Sequence, residues 1–306
     1  MSIGMGNLVS IRRQSFKEGF VLSDSPILYE LNLAEMSPIA GISYENREDK
    51  RIKAASLRAQ LESSLLSQIT EKSTSLSLIN NLTINHLDKY ISSKIDSRYV
   101  NWFETSATHE DAKNFVQEYG ADQVYFTQYL SKLAAIAPER AAIEIYSNLF
   151  EETGVNIHDQ TSYDITSFHP EIFRRLCLHF DLPSIERFHS GEKFNKETYY
   201  CICMMLLCVR LGYLQGAGAM YVLESTIPGQ LGKINNGLKR LGIPKDKRLF
   251  LEMHCKLDTT HAQRWWNYAI KEYLYTSENT SELLQGVDLA LSGRNALWQG
   301  LLKNKN

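Results

Sequence analysis

Apolar residues recur at helical spacing along most of the chain, interrupted at intervals by proline and glycine. Residues 1 to about 50 are mixed, with Gly4, Gly6, Pro26, Pro38 and Gly41 breaking any period. Within them the segment 27–33 alternates in part and reads as a short strand or an extended arm. A helix is predicted from Glu48 to about Glu71, with Ile52, Leu57, Leu61, Leu65 and Ile69 near one face. A serine-rich break around Ser73–Ser77 separates it from a second helical pattern, Leu78 to Ile95. From Trp102 onward helices follow one another. One runs from His109 to Tyr119 behind the cap residue Thr108, with Gly120 as its stop signal; the next runs from Asp122 to Ala137 and is closed by Pro138. Glu139 to Glu152 is closed by Gly154, and a polar loop from Val155 to Ser167 precedes a helix opened by Pro170 and broken by Pro183. A long apolar helix is predicted from Lys196 to Glu224, ended by Pro228 and Gly229, then a short one from Leu231 to Leu241. Asp246 to Tyr275 and Asn279 to Leu302 complete the series. No strand of any strength is predicted after residue 100. The expected architecture is all-α, with a bundle of about seven helices over 101–306 and an N-terminal extension over 1–100 that serves as a helical or dimerisation arm.

Composition narrows the class. The 306 residues, 43% hydrophobic and 22% charged, are ordinary for a globular protein, and a net charge of −2 offers no surface for nucleic acid or an anionic membrane. The most apolar run, Tyr199 to Val209, is too short to span a bilayer, and the first residues lack the apolar core of a signal peptide. Five cysteines without a Cys-x-x-Cys pair read as reduced thiols in core positions, redox or zinc duty for Cys201 and Cys203 being the less favoured alternative. A cytoplasmic protein is expected.

The chemistry concentrates in Phe250–His261. His254, Asp258 and His261 stand at i, i+4 and i+7, which on a helix returns each to within about 40° of the first. Two imidazoles and a carboxylate on one face suit iron, manganese or zinc, and open positions beside them suit Fe(II) and O2. Three-residue coincidences are common, so the same spacing also fits two surface histidines and an exposed aspartate. In an all-α bundle further ligands must come from facing helices. Glu224, closing the buried helix behind Gly216 and Gly218, is one candidate, although taken alone a solvated helix end is the favoured reading of it; Glu151 and Glu152, ending a helix before Gly154, and His169, opening the next before Pro170 where a cap or surface role is the common one, are the others.

The order Glu152-Thr-Gly, His169-x-x-x-Phe173, Glu224, then Phe250-x3-His254-x3-Asp258-x2-His261 resembles the haem-oxygenase-like di-iron oxidases and oxygenases, a group of iron-containing redox enzymes. Leu241-Gly242-Ile243-Pro244 also resembles that family's turn into its last metal helix. The resemblance covers residues from about 100 to the end. It implies a haem-oxygenase-like fold and six metal ligands, Glu152, His169, Glu224, His254, Asp258 and His261, holding two irons. The gap from Glu152 to His169 is longer than the family's, which leaves Glu151, Asp164 and His158 as substitutes for the first ligand. A haem group itself is disfavoured, since a lone proximal histidine needs no partners at i+4 and i+7.

The activity so implied is O2-dependent N-oxygenation, oxidative C–C cleavage or decarboxylation of a small organic substrate such as an amino acid or fatty acid, with electrons from a donor. Met204-Met205-Leu206-Leu207 would suit an apolar tunnel and suits the core better. Arg210, Lys233, Lys239 and Lys256 are candidate partners of a substrate carboxylate, with a solvated face as the default for each. Tyr125, Tyr129, Tyr146, Tyr163 and Tyr221 are candidates for electron relay or internal substrate, with packing the favoured role. Two other classes stay open: a metal-free helical binding module, and a zinc hydrolase using the same residues.

Overall fold

A computed structural model describes residues 21–36, 44–70, 82–155, 164–182 and 194–303. They form twelve α-helices and, among the described residues, no strand. In chain order these are α1 (Ser25–Met36), α2 (Tyr44–Thr70), α3 (Ile84–Lys94), α4 (Arg98–Ser106), α5 (His109–Gln123), α6 (Phe126–Ile136), α7 (Glu139–Thr153), α8 (His169–His179), α9 (Lys196–Leu211), α10 (Tyr213–Arg240), α11 (Leu249–Arg264) and α12 (Ser277–Leu302). No helix is long and apolar enough to cross a membrane among the described residues.

Helix α9 is the axis. From Tyr200 to Val209 it is buried on every side except near Arg210, the pattern of a helix surrounded by others. It packs against α12, α10 and α1, while α10 packs against α12, α11 and α4. Met204, Met205, Leu206 and Leu207 are core residues at 0–2% exposure, so the apolar run forms packing and no tunnel. Small residues bring α10 and α12 into backbone contact. A Cβ on Gly218 would lie 2.4 Å from the Leu283 carbonyl oxygen, and one on Gly286 would lie 1.9 Å from that of Gln215. Beside this crossing Arg294 is wholly buried, stacked on Trp298 and facing Asp122 at 3.8 Å.

Several element boundaries differ from the sequence expectation. Segment 27–33 belongs to α1 and is neither strand nor arm, because Leu28 and Leu31 face α9 at helical spacing and Pro26 occupies a first-turn position. Ile52 projects to solvent at 65% exposure while Leu61 and Leu65 are buried; five residues from Ile52 to Leu57 rotate it off that face. Gly120 does not stop α5, which continues to Gln123 because Tyr119, Ala121 and Asp122 are buried there. The predicted helix 196–224 divides at Gly212, whose extended backbone starts a new helix inside an unbroken apolar pattern. Pro228 and Gly229 do not end α10. Proline there costs about 3 kcal/mol, and burial of Ile227, Leu231, Ile234 and Leu238 offsets it. The helix predicted from Asp246 to Tyr275 is shorter than expected: a 3-10 turn (Lys245–Lys247) precedes α11, and a π-helical turn (Trp265–Ile270) follows it with both tryptophans buried. The serine-rich break at 73–77 lies outside the described residues.

All five cysteines are thiols. Cys201, Cys203 and Cys208 are fully buried, and burial pushes each thiol pKa up, which suppresses the reactive thiolate. Cys177 is buried too; Cys255 is half-buried. Titration of the native protein with an aromatic disulfide reagent is therefore expected to register one readily reacting thiol, and all five after denaturation.

Candidate metal centre

The site is assembled where α7 ends, α8 begins and α10 and α11 run alongside. Gly154 makes the first junction. It takes the left-handed conformation (φ 69°), and its missing Cβ admits the returning chain, since a Cβ would stand 2.6 Å from the Asp164 carbonyl oxygen. The Asp164 amide donates to the Gly154 carbonyl at 3.0 Å, and Pro170 follows in the first turn of α8. The end of one helix and the start of the next are thereby clamped together. Glu152 and His169 meet across the clamp, with Nδ1 of His169 2.6 Å from Oε2 of Glu152.

His254 joins this pair from α11. Its ring centre lies 4.9 Å from that of His169, and donor atoms of Glu152, His169 and His254 all lie within 4.8 Å of one another. Nδ1 of His254 donates to the Phe250 carbonyl at 2.8 Å, which turns Nε2 into the available lone pair. Phe250, the aromatic that leads the motif, packs against both this ring and Phe173. All three donors are at least nine-tenths buried.

A second group lies two turns further along α11. Nε2 of His261 contacts Oε2 of Glu151 at 2.7 Å, and its Nδ1 stands 3.4 Å from Oε2 of Glu224. Asn148 donates to the other Glu224 oxygen at 3.0 Å. Arg264 braces the outer side, donating to Glu144, Ser147 and Glu151. Asp258 lies on α11 between His254 and His261; its side chain is outside the described residues, as is His158. Asp164 is exposed and spends its carboxylate on Thr166 and Ser167. Glu152 and Glu151 thus occupy different halves of the site, one with His169 and His254, the other with His261.

The electrostatics follow from burial set against these partners. Burial drives His254 down to about 4, so the ring is neutral and able to ligate. For His261 burial also works downward, but hydrogen bonds to Glu151 and Glu224 and their charges outweigh it and carry the ring up to about 10. Burial would raise Glu152; the charge and hydrogen bond of His169, with His254 and His261 nearby, hold it below the usual carboxylate range. Burial raises Glu144 against the pull of Arg264.

The donor set fits a divalent first-row metal. Ligand atoms about 2.1 Å from one metal sit roughly 3.0 Å apart when adjacent, so donors within 4.8 Å need only small rotamer shifts to converge. Buried carboxylates require cationic partners. The partner of Glu152 here is an imidazole, and a metal ion would take that place at low cost.

Residues 113–295 match the family of iron-containing redox enzymes. The chain belongs to that family. The matched span contains Glu152, His169, Glu224, His254, Asp258 and His261, and leaves α1 to α4 outside it. No curated protein matches the sequence. The fold is similar to that of a CADD-like protein of unknown function from Nostoc punctiforme, seen in two crystal structures. One, at 15% identity, has a TM-score of 0.58 and covers 78% of this chain and 97% of its own; the other, at 17%, has 0.53 with 72% and 94%. At such identity the likeness concerns the all-α fold.

Sequence reasoning did not find Asn148, Arg264, Glu144 or Ser147. A signal was present. Glu144, Asn148, Glu151 and Glu152 form a polar stripe at helical spacing on α7, and Arg264 follows His261 by three residues on the same helix face. Of the tyrosines, Tyr125 bonds to Tyr29, Tyr129 to Asp122 and Tyr221 to Asp88, Tyr146 is exposed, and Tyr163 lies outside the described residues. Of the candidate cations, Arg210 pairs with Glu62, Lys239 is exposed, and the Lys256 side chain is outside the described residues; Lys233 lines a cavity taken up below.

Proposed function

We propose that this protein is a non-haem di-iron oxidase or oxygenase that uses O2 and electrons from a donor to oxidise a small organic substrate. The observation that carries the reading is the buried group Glu152, His169 and His254 in a chain of the iron-containing redox family. These three would hold one iron. Glu224 and His261, with Asp258 on the same helix as His261 and Glu151 reaching His261 from α7, would hold the other. When bound, such iron supplies O2 activation and one-electron redox steps that side chains alone cannot.

The chain's own residues do the rest. The Phe250 carbonyl fixes the His254 tautomer, and Asn148 orients Glu224. Arg264 holds Glu151 against His261, so a proton on His261 Nε2 is shared with a carboxylate. Near-complete burial keeps bulk water from the imidazoles and lets these contacts act at low dielectric. The reduced thiols fit a cytoplasmic setting.

The test is anaerobic loading with Fe(II), measurement of bound iron, and rapid mixing with O2 while the visible spectrum is followed. Two irons per chain, O2 consumption and a transient visible band are expected. Failure to take up iron, with the helical spectrum intact, would overturn the reading in favour of a metal-free binding module. Redox-silent zinc without O2 consumption would point to a hydrolase.

A further inference from the structure

A cavity of about 610 Å³ lies between α3 and α10, and Glu224 is part of its wall. Its α10 side presents Tyr221, Glu224 and Pro228, spaced so that they share one face of the helix, and Lys233 further along, rotated off that face. Its α3 side presents Ile84, Asp88, Ile91 and Ile95, again one face. The wall is thus an aliphatic strip with a carboxylate on it, set against a polar strip that runs past the candidate metal ligand. Pro228 adds an acceptor: lacking an N–H, it leaves the Glu224 backbone carbonyl without its helical donor.

Two opposite charges face this space. Asp88 accepts a hydrogen bond from the Tyr221 hydroxyl at 2.6 Å and forms no ion pair among the described residues. Lys233, twelve residues further along α10 than Tyr221, donates to Asn101 of α4 and likewise has no carboxylate partner there. About 18 Å of helix axis separates Tyr221, the partner of Asp88, from Lys233, and both charged residues line the one cavity. Glu224 lies between them. A pocket that presents an anion at one end, a cation at the other and isoleucines between is complementary to one class of molecule.

We propose that this cavity is the substrate pocket of the iron centre, and that it selects a zwitterion whose ammonium and carboxylate are separated by an aliphatic chain. The ammonium pairs with Asp88 and the carboxylate with Lys233, which lays the intervening carbons against Glu224. The proposal rests on Glu224 being an iron ligand. It places the ammonium's partner, Asp88, on α3 outside the span matched to the family, while Lys233 lies within that span. It sets an amino acid above a fatty acid, because a fatty acid would leave Asp88 facing its chain unpaired.

The experiment is calorimetric titration of the full-length, metal-free protein with 6-aminohexanoate, hexanoate and hexylamine. Tightest binding is expected for 6-aminohexanoate, with each single-charge analogue weaker by about tenfold or more. Asp88→Asn should erase the preference over hexanoate and keep the preference over hexylamine; Lys233→Gln should do the opposite. Circular dichroism confirms that both variants fold. Equal binding of all three probes, tightest binding of hexanoate, or no binding to wild type at millimolar concentration would overturn the proposal. Iron content and the O2-dependent band, measured on the same preparation after loading, report separately on the oxidase reading. A protein that loads iron but ignores the charge pattern refutes the pocket alone.

Discussion

The His254→Ala variant is expected to fold, to keep at most one iron per chain, and to lose the O2-dependent visible band. Three observations set the size of the effect. The ring is buried and driven to a neutral form, its Nδ1 is committed to the Phe250 carbonyl, and its Nε2 joins the donors of Glu152 and His169. Loss of an orienting partner costs about 10–100-fold in metal affinity, and loss of a ligand should exceed that. Asn148→Ala and Arg264→Gln supply the graded comparison. Both touch only the Glu224 and His261 half, and each is expected to weaken one iron within that 10–100-fold range while sparing the other. Iron stoichiometry and chelator competition on the three variants check this. Unchanged iron binding in His254→Ala would remove Glu152, His169 and His254 from the metal site.

The Gly286→Ala variant is expected to lose stability on the order of 3 kcal/mol or more, with much of the protein recovered insoluble. The cause is geometric. The new Cβ would stand 1.9 Å from the Gln215 carbonyl oxygen and 2.6 Å from Gln215 Cα, both backbone atoms, so no rotamer change relieves the contact. Helices α10 and α12 must move apart, and α10 carries Glu224. Gly232→Ala, whose Cβ would meet only the Cys255 sulfur at 3.7 Å, is the control and should be near neutral or slightly stabilising. Thermal denaturation of both variants decides; an equal melting temperature for the two would show that the crossing tolerates side chains.

The same particular residues show why some of the fold and site could be read along the chain. Gly154 and Pro170 act locally, through a left-handed φ and a ring-fixed φ, so the ends of α7 and α8 were visible in sequence. His254, Asp258 and His261 share a helix face by arithmetic alone. The candidate ligand motifs were legible together because each occupies one helix and their order is kept in one chain. Gly212 and Pro228 were not legible. Whether a glycine interrupts an apolar helix, or a proline is carried inside one, depends on burial supplied by α12, α11 and α4 and not on neighbours in sequence. The segment 27–33 failed for a related reason: over seven residues the periods of strand and helix overlap, and only contact with α9 distinguishes them.

What the sequence by itself determined is the class of this protein: an all-α chain with histidines and carboxylates that converge at helical spacing, in the order of iron-containing redox enzymes. Helical periodicity and donor chemistry are local properties and survive without coordinates. What only the tertiary structure decided is which groups meet. It put Glu152 with His169 and His254, put Glu151 and Arg264 with His261, and drew α3 over Glu224 to make a cavity with Asp88 and Lys233 on its walls. Such meetings join residues more than a hundred positions apart, as with Asp88 and Tyr221, 133 apart. They depend on how closely whole helices approach, and that is set by backbone contacts such as Gly286 against Gln215, which no pattern along the chain records.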